Sequence, residues 1–348
     1  MIEKKYFLRN FWYYALPSQE LKPNKLISKT LLGEPILFGR RPNGKIFAMR
    51  NLCPHRGIPL SFGRFDGQEI ECCYHGWRFD CSGNCTAIPT LVEDQKVDLS
   101  LFNVEEYPVR EVQGNIWIFM ADEKNSIAPS DRDIPLIPHF GDRPANLLYK
   151  TTFPCYVDHA VLGLIDPAHA PFVHRSWWWR DAPELVEEVK AFDPTPYGFT
   201  MRRHKIVNVP TLYYLLGRDA ETEIAFHLPS VRIEHLTIGR YTICNLTVVT
   251  PITEDETEVH TMLYWDAPLL TILKPILSPL MKIFLNQDRD VFTKQQIGLK
   301  FNPPLTLVKG ADTQCQWYYR IKAEYAKATA EGRPFINPIQ EQVLRWRC

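Results

Sequence analysis

Cys53-Pro-His55 is followed, after the sixteen residues 56–71, by Cys72-Cys-Tyr-His75. Each of these two stretches offers one thiol and one imidazole, so together they provide four possible ligands for a metal centre. Pro54 and Gly76 are residue types that suit tight loops. The spacing Cys-x-x-His selects Cys72 as the second thiol ligand, and the adjacent Cys73 is expected to point elsewhere. We therefore expect two loops that clasp one metal centre between them.

The residue types alone leave three kinds of metal centre open. Zinc binds two Cys and two His tetrahedrally, although structural zinc sites usually draw a Cys-x-x-Cys pair from one loop. Mononuclear iron with this ligand set would be unusual. A Rieske-type [2Fe–2S] cluster requires two thiolates on one iron and two imidazoles on the other. The loops at residues 51–57 and 70–79 resemble the two cluster-binding segments of Rieske domains, which favours the [2Fe–2S] cluster.

The residues around these loops predict β structure. Glu34–Gly39 and Lys45–Met49 are short predicted strands, and Pro42-Asn-Gly44 between them is a hairpin turn signal. Cys81 and Cys85 are expected to be small buried residues of this β region. From Ala121 to Arg143 the composition shifts toward Pro, Asp, Ser and Asn, which indicates a linker between two domains.

The second half of the chain mixes strands and helices. The predicted strands are Thr200–Val209, Ile238–Thr250 and Glu258–Trp265. In Leu269–Leu285 the polar positions form one narrow stripe on an apolar helix, which predicts that most of its surface is buried. Pro275 and Pro279 are expected to kink or interrupt this helix. Ala311–Gly332 is predicted to be a long polar helix.

A second metal signal lies at Asp166-Pro-Ala-His169-Ala-Pro-Phe-Val-His174. Two imidazoles and one carboxylate are the ligands of a mononuclear non-haem iron(II) site, and they leave coordination positions open for dioxygen and water. Taken alone, two histidines five positions apart are more often structural. Behind a Rieske-like segment, the same pattern favours iron.

The order of these signals resembles the Rieske non-haem iron oxygenases, in the subgroup built from one type of chain that includes vanillate O-demethylase, dicamba monooxygenase and ketosteroid hydroxylase. An Asn10-Phe-Trp-Tyr13 start precedes the Rieske loops, and the iron segment follows them. The resemblance implies an α+β protein. Residues 1–130 would form an all-β Rieske domain whose [2Fe–2S] ligands are Cys53, His55, Cys72 and His75. Residues 131–348 would form a helix-grip-like catalytic domain with an antiparallel sheet.

The family takes its third iron ligand from a helix far downstream. Asn286-Gln-Asp288-Arg-Asp290 matches that region best with Asp288 as the ligand, and Asp290 is the alternative. Either aspartate could instead be a solvated surface charge. Two positions depart from the family pattern. Gln287 stands where the family usually has Glu, and Gly163 stands where relatives often carry Asn or Asp.

The resemblance also implies how the two centres cooperate. They would lie too far apart within one chain for fast electron transfer, and a homotrimer would bring His75 of one subunit near His169 of the next. Asp166 would bridge these imidazoles and so act in catalysis. An alternative role for Asp166 is to cap a helix that begins at Pro167.

Composition excludes several other classes of function. Forty basic residues balance forty acidic residues in the 348-residue chain, which argues against a nucleic-acid surface. Ala267–Leu285 contains three prolines and two lysines, so no transmembrane segment is expected. The cytoplasm is the expected compartment. The apolar tract remains a candidate for peripheral contact with a membrane.

Three functions are weighed on these grounds. The favoured one is the terminal oxygenase component of a multicomponent monooxygenase. It would use O2 and electrons from a separate NAD(P)H-dependent reductase or ferredoxin, because no flavin or nicotinamide fingerprint occurs in the chain. Its substrate would be an apolar aromatic or polycyclic molecule, hydroxylated or O/N-demethylated in a pocket near Tyr213, Tyr214, Phe226 and residues 269–285. The alternatives are a Rieske electron carrier whose second domain only docks partners, and a zinc-stabilised binding module. The run Trp177-Trp-Trp179 is expected to pack in a core or an interface.

Overall fold

The computed structural model describes residues 5–122, 134–174, 176, 185–206, 216–217 and 219–348. These residues form two compact units. The first unit spans Arg9–Ile134, and the second spans Pro135–Cys348 together with the start of the chain up to Leu8. The predicted pocket residues Tyr213 and Tyr214, the run Trp177–Trp179 and residues 123–133 of the predicted linker lie outside the described residues.

The described part of the first unit is built from ten short strands in three antiparallel sheets, ordered β1-β10-β9, β2-β3-β4 and β5-β6-β7-β8. The predicted hairpin is confirmed: β3 and β4 flank a turn in which Gly44 has a φ of +86°. The strands are β1 (Phe11–Pro17), β2 (Lys25–Leu31), β3 (Glu34–Arg40), β4 (Ile46–Arg50), β5 (Arg64–Phe65), β6 (Glu69–Glu71), β7 (Arg78–Asp80), β8 (Cys85–Ala87), β9 (Val109–Val112) and β10 (Asn115–Met120).

A hydrophobic core lies directly beneath the two predicted cluster loops. Cys53, Cys72 and Trp77 belong to it, and so do Cys81 and Cys85, which are buried as expected. Cys73 is exposed and therefore points away from this core. The apolar packing holds the ends of both loops in place.

The second unit contains one eight-stranded antiparallel sheet, ordered β11-β17-β16-β15-β14-β13-β12-β18. This sheet and the few helices beside it confirm the α+β expectation. The strands are β11 (Leu147–Phe153), β12 (Glu187–Thr195), β13 (Gly198–Lys205), β14 (Ala220–His227), β15 (Val231–Ile238), β16 (Tyr241–Pro251), β17 (Thr257–Trp265) and β18 (Gln342–Arg347). The helices are α1 (Val157–Ile165), α2 (Ala170–Val173), α3 (Pro268–Leu299) and α4 (Thr313–Ala330).

The predictions that helix α3 is interrupted and that most of its surface is buried are wrong. The helix runs unbroken through Pro275 and Pro279, which both lie on its exposed side, where carbonyls that lose a helical hydrogen bond can bond to water. Its surface is also mostly exposed, with Ile272 74% accessible. A helix on one side of a sheet buries only the stripe that faces the sheet. That stripe consists of Leu270, Leu277, Met281, Leu285 and Phe292.

By length and composition alone, α3 is apolar enough to cross a membrane. In the folded unit it packs along β11 instead. The Phe153 and Phe292 rings lie 4.9 Å apart, and the Tyr149 hydroxyl lies 3.3 Å from Asn286 Oδ1. The helix is therefore one wall of the second unit, and its inner stripe faces the candidate site described below.

Candidate metal centres

The two cluster loops have the same backbone construction. In the first loop, the Cys53 N–H donates to the Ile58 carbonyl at 2.9 Å, and the Gly57 N–H donates to the Cys53 carbonyl at 2.8 Å. The second loop repeats this pattern from Cys72, whose N–H bonds the Trp77 carbonyl at 2.8 Å, with Gly76 in the place of Gly57. Both glycines have a φ of +69°, which a side chain would disfavour. Each loop thus presents its Cys and His on a tight, defined turn.

These loops bring the four predicted cluster ligands together. The His55 and His75 rings lie 4.4 Å apart, and His55 stacks on Trp77 at 4.6 Å. The Nδ1 atoms of both histidines are buried and, among the described residues, have no hydrogen-bond partner. Burial raises the pKa of the Cys53 thiol to about 11, with Cys72 beside it. Two buried thiols and two unpartnered imidazole nitrogens fit the ligand set of a Rieske cluster, and the iron charge would stabilise the thiolates.

The second unit brings His169, His174 and Asp288 together. One ligand atom from each lies within 4.8 Å of the others. Asp288 Oδ1 is 3.3 Å from His174 Nε2 and 3.7 Å from His169 Nε2. Burial raises the pKa of Asp288 to about 6, because the apolar surroundings disfavour the charged carboxylate. Asp290, the alternative from the sequence, is exposed and lies outside this group.

The second nitrogen of each histidine is held by an acceptor. His169 Nδ1 lies 2.7 Å from the Asp166 carbonyl oxygen, and His174 Nδ1 lies 3.1 Å from Gln287 Oε1. A carbonyl oxygen can only accept, so Nδ1 carries the proton and Nε2 keeps its lone pair for a metal. Burial lowers the pKa of His174 to about 4, which keeps its ring neutral. Two Nε2 atoms and one carboxylate therefore fit a mononuclear iron site.

Asp166 holds its own loop as well. Its Oδ1 accepts from the Ala168 N–H at 2.7 Å, and its Oδ2 lies 3.6 Å from His169 Nδ1. The carboxylate thus caps a short turn two residues ahead. The alternative role considered from the sequence, capping a helix that begins at Pro167, is wrong, because α2 begins at Ala170 and its N-cap is His169. It is also partly exposed, because a quarter of the side chain remains accessible.

A cavity of about 490 Å³ opens beside the three ligands. Most of its walls are apolar, and α3 contributes the largest share of them: Leu270, Leu277, Leu280, Met281, Phe284, Leu285 and Phe292. Phe226, a predicted wall residue, is buried elsewhere. It shares a sheet face with the wall residues Thr222 and Ile224, but α4 covers it, with the Tyr318 ring 5.9 Å away.

Residues 11–108 match the family model of the Rieske [2Fe-2S] domain. Residues 155–328, half of the chain, match the vanillate O-demethylase oxygenase C-terminal domain. The chain belongs to the Rieske non-haem iron oxygenases. Its cofactors are accordingly a [2Fe–2S] cluster and mononuclear non-haem iron.

Individual relatives agree with this membership of the Rieske non-haem iron oxygenases. The iron–sulfur subunit of the Comamonas testosteroni toluene-4-sulfonate monooxygenase system is 32% identical over 55% of this chain and 54% of its own length. The oxygenase component of Stenotrophomonas maltophilia dicamba O-demethylase is 34% identical over 52% of each chain. The matched stretches thus span about half the length of these relatives. Crystalline dicamba monooxygenase bound to dicamba has the same fold, with a TM-score of 0.70 and 23% identity over 94% of this chain and 99% of its own.

Gln287 contacts one of the iron-site histidines, a role that the sequence did not reveal. Its amide oxygen meets His174 Nδ1, and its Nε2 donates to Ser176 Oγ at 3.1 Å. We expect Gln287→Leu to weaken iron binding by about 10–100-fold, because loss of the acceptor frees the His174 ring to rotate. Gln287→Glu keeps an acceptor and should retain iron. Competition with a chelator measures both, with the exposed Gln295→Leu as control; equal affinity in all three variants would contradict this role.

Gly163 is explained by a close aromatic neighbour. A Cβ at this position would lie 2.4 Å from Phe292 Cζ, so Phe292 occupies the space that the larger residue of relatives would need. We expect Gly163→Ala to lower the free energy of unfolding by about 1–3 kcal/mol through overpacking. Adding Phe292→Leu should restore much of it. Gly298→Ala, which meets nothing within 4 Å, is the control in thermal unfolding. Full stability of Gly163→Ala would refute the clash.

Proposed function

We propose that this chain is the terminal oxygenase component of a multicomponent monooxygenase. The observation that carries the proposal is the convergence of His169, His174 and Asp288 at the wall of a largely apolar cavity. Cys53, His55, Cys72 and His75 would hold the [2Fe–2S] cluster, and His169, His174 and Asp288 would hold iron(II). The bound cofactors supply dioxygen activation and an electron beyond the one that ferrous iron provides.

The chain's own residues would prepare the site for this chemistry. The Asp166 carbonyl and Gln287 fix the two imidazoles so that both Nε2 atoms face Asp288. Phe284 stacks on His174 at 3.7 Å and covers the apolar side of the ligand group. The aliphatic side chains of α3 would exclude water from the substrate. An apolar aromatic or polycyclic molecule suits such walls, and hydroxylation or O/N-demethylation would follow the same initial oxidation of a C–H bond.

Partners and assembly belong to the same proposal. Electrons would come from a separate NAD(P)H-dependent reductase or a ferredoxin. A homotrimer would place His75 of one subunit near His169 of the next, with Asp166 as the bridge. The cytoplasm is the proposed location. Peripheral membrane contact is not part of the proposal, because a single long apolar helix among the described residues, α3, is weak evidence for it.

The bridging role of Asp166 predicts a selective defect. Asp166→Asn keeps the backbone carbonyl that holds His169 and an oxygen that can accept from Ala168, so both metals should remain bound. Loss of the carboxylate charge should slow oxidation of the reduced cluster sharply. Stopped-flow absorbance of the cluster after mixing with oxygen and substrate measures this rate. An unchanged rate, or normal product from one turnover, would remove Asp166 from the electron path.

The experiment that tests the function is a single turnover with a panel of methoxyaromatic and steroid-like compounds. The protein is loaded with both cofactors, reduced without oxygen, and then exposed to O2. Mass spectrometry detects added oxygen, and a colorimetric assay detects formaldehyde. Product in proportion to mononuclear iron supports an oxygenase, and formaldehyde separates demethylation from hydroxylation. A reducible cluster with no iron bound at His169, His174 and Asp288 would favour the electron carrier instead.

A further inference from the structure

The cavity has a polar end that the proposed apolar substrate does not use. Along the sheet it extends from β11 and β17, which lie near α3, as far as the edge strand β18, whose Trp346 also lines it. On the strands away from α3 its lining includes charged and hydrogen-bonding side chains: Glu188, Lys190, His204, Thr222, Arg232 and Glu234. Polar groups in a ligand cavity generally fix the orientation of the ligand.

The charges at this end cancel one another. Arg232 lies 3.0 Å from Glu234 on the same strand, and Lys190 lies 2.8 Å from Glu188. Each cation is therefore already neutralised by a carboxylate at its side. A ligand carboxylate would meet Glu188 and Glu234, and a ligand ammonium would meet Lys190 and Arg232. An ionised group gains little from such paired charges, so this end suits a neutral polar group.

Thr222 has a buried hydroxyl group that a ligand could satisfy. Its side chain is only 4% exposed, and Oγ1 has no hydrogen-bond partner within the part of the chain that the structure describes. A buried hydroxyl without a partner is costly, and such groups are uncommon in folded proteins. Thr222 lines the cavity, and although Oγ1 is closed off as the side chain stands, rotation about the Cα–Cβ bond would exchange it with the methyl group and turn it toward a bound molecule. This is an orphaned polar atom at a position where a ligand can satisfy it.

His204 stands directly opposite Thr222 in the register of β13 and β14. Its Nδ1 lies 2.9 Å from the Arg202 carbonyl and so must donate to it. Burial lowers the pKa of His204, which keeps the ring neutral and leaves Nε2 as an acceptor. Side chains paired in this way have Cβ atoms about 5 Å apart. A ligand hydroxyl can therefore accept from Thr222 and donate to His204 at the same time.

The length and volume of the cavity limit the size of the ligand. Four strand spacings separate β14 from β11, or about 19 Å along the curved sheet at ~4.8 Å each. The cavity volume of about 490 Å³ compares with about 150 Å³ for an apolar cavity that holds one benzene. The cavity therefore has room for several fused rings or for a molecule of similar length.

We propose that the cavity selects a polycyclic, otherwise apolar substrate that carries a neutral hydroxyl group at the end away from His169, His174 and Asp288, and that Thr222 and His204 bind this hydroxyl. The assignment rests on the proposed oxygenase function, because it names the substrate class for the same cavity. Thr222 and His204 act in specificity and take no part in the oxidation.

The test compares binding of matched ligands to the cofactor-loaded protein by equilibrium dialysis. The probes are a 3-hydroxysteroid, the 3-deoxysteroid with the same skeleton, and an analogue with a carboxylate at that position. The wild-type protein should bind the hydroxy compound about tenfold more tightly than the deoxy compound, as one or two net hydrogen bonds provide. It should bind the carboxylate more weakly than the hydroxy compound. Equal binding of all three, preference for the carboxylate, or binding of none overturns the assignment.

Variants locate the preference. Thr222→Val removes only the hydroxyl and should abolish the preference without lowering the melting temperature, because the lost group has no partner in the described protein. Thr222→Ser should keep it, and Thr247→Val, at another cavity threonine, should also keep it. A preference that survives Thr222→Val overturns the subsite. A single turnover separates the two claims: hydroxyl preference without oxygen insertion refutes the oxygenase alone, and oxygen insertion without preference refutes the subsite alone.

Discussion

Asp288→Ala is expected to abolish the mononuclear iron site and to lower product formation at least about a hundredfold, since even the residues that merely support a metal ligand contribute 10–100-fold. The alanine removes the one oxygen that both Nε2 atoms approach, at 3.3 and 3.7 Å. The cluster in the other unit should be unaffected. Iron analysis, cluster absorbance and single-turnover product together measure these effects.

Asp290→Ala is the matched control for this prediction. Asp290 lies two residues further along the same helix and is exposed, so its loss changes the charge of α3 without touching the ligand group. The Asp290→Ala variant should bind iron and form product as the wild-type protein does. Loss of iron from Asp290→Ala with full retention in Asp288→Ala would reverse the assignment of the third ligand.

Lys322→Met is expected to produce the largest loss of stability, about 3–5 kcal/mol, because it leaves a buried carboxylate without its cation. Lys322 is 4% exposed and lies 2.6 Å from both oxygens of Asp158, which is 7% exposed. The Tyr318 hydroxyl also donates to Asp158 at 2.6 Å, and the ammonium lies 4.4 Å from the centre of the Tyr6 ring. This network joins α4 to α1, the helix that leads into Asp166 and His169.

Calorimetry of the cofactor-loaded protein checks this effect against Lys327→Met, an exposed lysine on the same helix. The double variant Asp158→Leu with Lys322→Met should recover much of the loss, because an apolar pair replaces an ion pair without leaving a charge behind. A Lys322→Met variant as stable as the Lys327→Met control would show that the buried pair contributes nothing to stability.

The cluster loops could be predicted from sequence because their chemistry is local. Cys53 and His55 lie within three residues, as Cys72 and His75 lie within four, and each set closes on its own glycine turn. The iron site is harder, since Asp288 is separated from His174 by more than a hundred residues. The choice of Asp288 over Asp290 did have a local signal, because Met281, Leu285 and Asp288 follow helical spacing on one face of α3.

Sequence analysis missed five strands of the sheet, β11, β12, β14, β15 and β18, and two of them for a reason connected with function. β14 and β15 carry Thr222, Arg232 and Glu234 on the face that lines the cavity, so their apolar alternation is broken where a ligand site replaces a core. The predicted strand Ile238–Thr250 begins too early, because Gly239 and Arg240 form the turn between β15 and β16. The burial of α3 was overestimated because its apolar residues lie on both faces, whereas the sheet covers only one.

The central claim is that the iron site in the second unit inserts an oxygen atom from O2 into substrate. A single turnover under 18O2 tests it most directly, with the cofactor-loaded, reduced protein and a compound that yields product. We expect 18O in the hydroxylated product, or in formaldehyde trapped as it forms, in an amount equal to the mononuclear iron. We expect no such product from Asp288→Ala. Product without 18O, or the same yield from Asp288→Ala, would contradict this claim.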